Sequence, residues 1–420
     1  MPAYETSDIK ERVILAAVEN ERGATDAESC LDELGQLVLT SGGSVAGRLI
    51  QKREQAHPGH YLGKGKLDEL KELIVASGAN GVVCDDELSG NQIRNMEEKL
   101  DTKIMDRTMV ILDIFAECAR SAEGKAQVEL AQLNYRASRL TGLGKSLSRL
   151  GGGIGTRGPG ETKLETDRRH IRGRIAELTA ELKEIEKQRE VQRGRRERNN
   201  TGIVSAVGYT NAGKSSLMNM LTDAGAFVSP RLFATLDTAT RRLELPGGPE
   251  ILLTDTVGFI AKLPHNLVKA FRATLEELAY ADILLHVVDV SSPYRAEQTR
   301  VVYDTLKELN CADKPVITVF NKTDLLADTG GLSDPRALKT VFISALTGDG
   351  KDDLLGAIEE VFQTLRKKIK LLIPFGKGRE LSLLHQNAEI ISEEHTENGT
   401  LITAYADADL AGRLSAFIRP

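Results

Sequence analysis

Residues 203–215 read IVSAVGYTNAGKS, and this stretch decides the fold of the domain around it. Residues 203–207 form a short apolar run of the kind that makes a buried strand, and 215–221 open a helix. Between them, 208–215 have the form G-x-x-x-x-G-K-S. Its glycines let backbone N–H groups curl around an oligophosphate, while its lysine and hydroxyl reach phosphate and Mg²⁺. Gly208, Tyr209, Thr210, Asn211, Ala212, Gly213, Lys214 and Ser215 are therefore candidate nucleotide contacts. The order strand, loop, helix predicts an α/β P-loop domain.

Four further motifs follow at the spacing a guanine-nucleotide machine needs. About 40 residues after the phosphate loop comes D-T-V-G (Asp255, Thr256, Val257, Gly258), and about 66 residues beyond that N-K-T-D (Asn321, Lys322, Thr323, Asp324). An Asp carboxylate accepts two hydrogen bonds from the N1–H and exocyclic amine of guanine, a pairing adenine cannot offer. Asn321 and Asp324 are the expected base readers, with the Lys322 stem packing over the ring. Ser344, Ala345 and Leu346 would complete that pocket. Phe233, Ala234, Thr235, Leu236 and Asp237 are a candidate first switch. The expected metal ligands are Ser215 and Thr235, with Asp255 holding Mg²⁺ through water. Lys214, Thr235 and Gly258 are the expected catalytic residues, Lys214 bridging the β- and γ-phosphates, Thr235 ligating Mg²⁺ when the γ-phosphate is present and the Gly258 N–H touching that phosphate. Together the motifs predict a Mg²⁺-dependent GTP hydrolase that binds GTP and GDP.

Where many GTPases keep a water-orienting Gln after D-x-x-G, this chain has Phe259, whose ring neither donates nor accepts. The attacking water must be positioned otherwise. Asn211 suggests one route, a K⁺ ion beside the phosphates in place of an arginine's charge. The other reading is that Asn211 braces the loop.

At 420 residues the chain is too long for one core. No run approaches the ~20 apolar residues of a membrane span, and residues 1–10 lack the basic-then-apolar order of a signal peptide. Cys30, Cys84, Cys118 and Cys311 are far apart and read as reduced thiols of a cytoplasmic protein. Net charge is −6, which argues against a nucleic-acid partner until its distribution is read. Residues 136–198 hold 17 Lys/Arg against nine Asp/Glu, a local +8 that leaves −14 for the rest. That is the footprint of a phosphate-rich partner or, alternatively, a solvated charged helix.

Residues 1–106 alternate strands (13–18, 44–50, 81–84) with helices (27–39, 65–76, 91–100), predicting an N-terminal α/β domain. The GKGK at 63–66 lacks phosphate-loop spacing and is read as a capped helix start. In 107–200 the period changes. Ala126, Leu130, Leu133, Ala137 and Leu140 form one apolar stripe, and Ile171, Ile175, Leu178, Leu182 and Ile185 another. Neither helix is stable alone, so an antiparallel hairpin is expected, each stripe covering the other. A glycine-rich basic loop, 141–167, would form its tip, and 194–201 a polar linker. Residues 201–369 are the P-loop domain, with strands at 203–207, 251–253, 283–288, 316–320 and 341–343. Residues 370–420 are expected to form a small C-terminal α+β domain.

The strings GYTNAGKS, FATLD, DTVGF and NKTD resemble the HflX family of ribosome-associated GTPases. More specific is GGIGTRGPGETKLETDRR at 152–169, which lies outside any general GTPase motif. The resemblance spans about residues 8–370 and departs at Thr238, where the family usually has Pro. It implies binding to the large ribosomal subunit in the GTP state, with the hairpin tip approaching the peptidyl-transferase region, and splitting or rescue of stalled ribosomes. With no Trp and 4% aromatic residues, contacts to ribosomal RNA would rest on phosphate and shape. The alternatives are a nucleotide-gated assembly or scaffold factor without splitting activity, and a metabolic P-loop kinase, for which no second substrate site is visible.

Overall fold

A computed structural model describes residues 11–19, 26–140, 159–198, 202–222, 232–233, 235–236, 239–248, 250–262, 276–326, 330–365, 367–406 and 408–419. The expected tip loop from 141 to 158, and Ala234, Asp237 and Thr238, lie outside the described residues. Packing divides the chain into two units. One comprises Met1–Glu186 with Ser229–Asp237 and Ile260–Thr274, the other Lys187–Val228, Thr238–Phe259 and Leu275–Pro420.

The first unit is built on a parallel sheet in the order β2-β1-β3-β4, from β1 (Arg12–Glu19), β2 (Ser44–Lys52), β3 (Gly81–Cys84) and β4 (Lys103–Asp106). Val13–Ala17 are all buried, the near-continuous apolar run of a strand covered on both faces. The helices are α1 (Ala27–Thr40), α2 (Lys64–Ser77), α3 (Gly90–Leu100) and α4 (Arg107–Cys118). Asp26 caps α1, Ser89 and Gln92 form a capping box on α3, and Asp106 caps α4. The helix start at 63–66 exists, but its N-cap Gly63 makes no side-chain capping bond. Sequence periodicity missed β4 and α4. Because α4 buries Ile111, Ile114 and Phe115, the α/β core runs past the expected boundary at 106.

Two long helices follow, α5 (Ala122–Leu140) and α6 (Pro159–Arg198). Glu129 on α5 takes a two-pronged ion pair from Arg174 on α6, at 2.7 and 2.8 Å. Ala126 and Leu178 from the two apolar stripes are buried. The start of α6 at Pro159 corrects the expected loop, because residues 159–167 are helical; proline at the first helical position has the right φ and no donor to lose. The same helix runs through 194–198, where a linker was expected. Its Arg, Glu and Gln are good helix formers and sustain it without an apolar face.

The second unit carries a six-stranded sheet in the order β10-β9-β8-β5-β7-β6. Its strands are β5 (Ile203–Gly208), β6 (Ala239–Glu244), β7 (Glu250–Asp255), β8 (Ile283–Asp289), β9 (Val316–Asn321) and β10 (Lys339–Phe342). All pair in parallel except β6, an antiparallel edge that alternates exposed and partly buried residues and escaped the search for continuous apolar runs. Helices α7 (Lys214–Thr222), α8 (Arg295–Glu308) and α9 (Lys351–Leu365) cover the sheet. Leu217, Leu253, Leu285, Ile317, Ile343 and Ile358 share one core. A second, antiparallel sheet follows in the order β12-β13-β11-β14, from β11 (Lys367–Ile373), β12 (Glu389–Thr396), β13 (Gly399–Ala406) and β14 (Ile418–Arg419). With α10 (Gly378–Asn387) and α11 (Ala408–Arg413) interposed, this is a split β-α-β arrangement.

Candidate nucleotide site

The site is built at the carboxyl ends of β5, β7, β8 and β9, where open α/β sheets receive ligands. β5 ends at Gly208, and the chain turns through Tyr209, Thr210, Asn211, Ala212 and Gly213 into α7. Gly213 has φ +97°, and a Cβ there would collide with Asn321 Nδ2, so only glycine fits. Lys214 is buried and donates from Nζ to the carbonyls of Gly208 (3.1 Å) and Tyr209 (2.9 Å). Burial lowers its ammonium to about 8, against the opposing pull of Asp255. The cation is thus held over the loop whose N–H groups would take phosphate.

Ser215 Oγ donates to Asp255 Oδ2 at 2.8 Å, bringing the first turn of α7 to the end of β7. A hydroxyl and a carboxylate side by side are the hard oxygen donors that suit Mg²⁺, which when bound neutralises charge on the phosphate oxygens. Thr256 donates its hydroxyl to Ala206 O at 2.7 Å and is buried, and Val257 is buried beside it. At Gly258 an added Cβ would lie 2.9 Å from Thr210 Cα and 3.0 Å from Lys214 Nζ, so this backbone passes directly against the lysine.

Phe259 has a backbone role that sequence reading missed. Its N–H donates to Gly208 O (3.1 Å), its carbonyl accepts from Thr210 N–H (2.8 Å), and its ring is buried. The residue after D-x-x-G is therefore clamped to the phosphate loop, and its ring faces the interior. Asn211, at the loop's exposed tip, has φ +61°, a left-handed conformation that Asn tolerates better than most residues. Its side chain makes no hydrogen bond among the described residues.

At the base end, Asn321 Nδ2 donates to Ala212 O (2.9 Å) and its Oδ1 accepts from Ala345 N–H (3.0 Å). Asn321 thus ties the phosphate loop to the 344–346 segment, leaving Asp324 as the carboxylate suited to reading a base. Ser344 Oγ donates to Asp324 Oδ1 at 2.6 Å and fixes its rotamer. Lys322, in the left-handed region at φ +67°, pairs with Asp289 at 2.6 Å. Asp289 was not foreseen; its signal is a lone carboxylate at the end of the apolar strand β8. Thr323 N–H donates to Ile343 O, and Leu346 is exposed. Phe233, Thr235 and Leu236 pack in the first unit, where the Phe233 ring meets Phe115 edge-on at 4.8 Å.

None of the four cysteines forms a disulfide, and Cys30, Cys84 and Cys311 are buried. Among the described residues, no helix is long and apolar enough to cross a membrane.

Three family models match in tandem: a GTP-binding GTPase N-terminal region over residues 28–116, a GTP-binding GTPase middle region over 118–196, and a 50S ribosome-binding GTPase over 203–322. The chain is 53% identical over 412 residues to the GTPase HflX of Lacrimispora saccharolytica, covering 98% of this chain and 97% of that one. It is 50% identical to the GTPase HflX of Caldanaerobacter subterraneus subsp. tengcongensis, covering 97% and 94%. Among solved structures it is similar to a GTP-binding protein from Sulfolobus solfataricus in complex with GDP, at 23% identity and a TM-score of 0.43, over 84% of this chain and 99% of that one. With full-length relatives at this identity and a complete set of guanine-nucleotide motifs, the chain is a GTP hydrolase and belongs to the HflX family of ribosome-associated GTPases.

Proposed function

We propose that this GTPase grips the large ribosomal subunit in its GTP state through the basic arm of α5, α6 and the segment between them, splits or rescues stalled ribosomes, and is released by GTP hydrolysis. The observation that carries the reading is the joining of a 50S ribosome-binding GTPase match at 203–322 to a segment, 136–198, with a net charge of +8 on an otherwise acidic chain. Exposed Arg169 and Arg172 on α6 supply cations without apolar surface, as phosphate contacts require. In this reading Asp324 selects guanine, Ser215 and Thr235 ligate Mg²⁺, Asp255 holds it through water, Lys214 bridges the β- and γ-phosphates, and the Gly258 N–H contacts the γ-phosphate. Asn211, which makes no side-chain hydrogen bond among the described residues, is a candidate ligand for K⁺.

Charge reversal at Arg157, Arg168 and Arg169 should abolish co-sedimentation with large subunits at unchanged GDP affinity. Undiminished co-sedimentation would remove the arm from the reading. Sucrose gradients of whole ribosomes with a non-hydrolysable GTP analogue separate splitting from mere binding. Free subunits support the first, and intact ribosomes carrying the protein would leave only a nucleotide-gated scaffold.

A further inference from the structure

Behind β8 and β9, on the side covered by α8, lies a cavity of about 390 Å³ that the nucleotide chemistry does not use. Its apolar walls are Val288, Phe320, Leu332 and the Tyr303 ring, continuous with a small core cluster that includes Phe342. Three guanidinium groups line it, Arg295, Arg300 and Arg336. None of them pairs with a carboxylate among the described residues. Arg336 stacks over the Tyr303 ring at 4.8 Å; among the described residues the Arg295 side chain reaches the Val290 carbonyl at 3.5 Å and exposed Arg300 makes no hydrogen bond.

The one lining carboxylate, Asp334, is already committed. Its Oδ2 accepts from Tyr303 Oη and Thr318 Oγ1, both at 2.7 Å, and its Oδ1 accepts from the Arg336 N–H at 3.0 Å. Burial alone would raise this carboxyl; the nearby His286 ring and the bonds from Thr318, Tyr303 and the Arg336 amide override it and keep the group ionised. His286, buried beneath with Nδ1 3.7 Å from Asp334, is pushed toward its neutral form by burial. Three cations against one carboxylate leave the lining with a net charge of +2. The volume is that of a small-molecule site, apolar with a few converging polar groups.

We propose that this cavity binds a small phosphomonoester with a planar apolar body, the ring seated among Tyr303, Phe320 and Leu332 and the phosphate dianion held by Arg300 and Arg336. A dianion matches the surplus charge, and guanidinium groups bind phosphate through paired N–H donors. Asp334 acts as the brace that fixes Tyr303 and the backbone of Arg336. Val288 and Phe320 immediately precede Asp289 and Asn321, so the walls of the cavity are continuous with the strand ends at the guanine pocket.

The test is calorimetric titration of the full chain, with GDP kept saturating, against 1-naphthyl phosphate, inorganic phosphate and 1-naphthol. The expected result is that naphthyl phosphate binds at least tenfold more tightly than either fragment, and that Arg300→Glu with Arg336→Glu abolishes the difference. GTP turnover should be unchanged in that variant, which also reports that it folds. Phosphate binding as tightly as naphthyl phosphate would mean an adventitious ion only and overturn the proposal. Undiminished binding in the double variant, or no binding of naphthyl phosphate at millimolar concentration, would overturn it equally.

Discussion

Lys214 shows how far a single residue's environment determines its chemistry. It donates to two loop carbonyls, and burial lowers its ammonium to about 8. Phosphate binding needs the charged form, so affinity should be fully present at neutral pH and fall as pH rises through that value. For one proton, GDP affinity should drop about tenfold between pH 7 and pH 9. Lys214→Met should bind weakly with no such decline, and an equally steep fall in the variant would assign the titration elsewhere. Asn211 carries the second prediction at this scale. Its side chain is exposed with no hydrogen bond among the described residues while the Phe259 ring is buried, so the charge and water placement that a Gln or arginine gives in other GTPases must come from outside these side chains. Wild-type turnover should be higher in K⁺ than in Na⁺ at equal ionic strength, and Asn211→Ala should erase the difference. Equal wild-type rates in the two salts would end the K⁺ assignment.

At the scale of elements, the junction of β4 and α4 carries a buried ionic cluster. Arg107 at the start of α4 is almost wholly buried. It donates to Asp85 (2.9 Å), Glu33 (2.7 Å) and the Ala261 carbonyl (2.9 Å), while Lys262 pairs with Asp85 and with Asp86 at 2.9 Å. Burial would raise the Asp85 carboxyl, but Arg107 and Lys262 hold it below the ordinary carboxylate range. Its contribution to stability is therefore present above the unfolded pKa of about 4 and is lost as pH falls through the lower folded value. Arg107→Met strips a buried carboxylate of its main partner and should cost about 3 kcal/mol in urea unfolding at pH 7. That deficit should shrink in acid, and a loss independent of pH would point to packing alone. None of this was legible in the sequence, because Asp85, Arg107 and Lys262 are brought together only by tertiary packing. The phosphate loop, D-T-V-G and N-K-T-D were legible because each is local and sits at the end of a continuously apolar strand. The edge strand β6 and the helical stretch 194–198 were missed for a shared reason: neither has a strong apolar period, and both depend on neighbours or backbone propensity.

Over the whole molecule the asymmetry is one of charge, with +8 in residues 136–198 and −14 elsewhere. An acidic body is repelled by RNA, so under the proposed function approach to a ribosomal surface would be led by the basic arm. If phosphate contacts by the arm hold the complex, counterion release makes its affinity fall steeply with salt. Each contact contributes about 0.7–0.9 to the slope of log K against log salt. Neutralising Arg157, Arg168 and Arg169 to alanine should then reduce that slope by about 2–3, and weaken binding most at low salt. The measurement is large-subunit association at several KCl concentrations with a non-hydrolysable GTP analogue bound. A triple variant that binds less tightly at an unchanged slope would mean that these arginines shape the arm without touching phosphate. An unchanged affinity and slope would place the ribosomal contact on another surface, and the basic segment would then be the solvated helix that its mixed charges also permit.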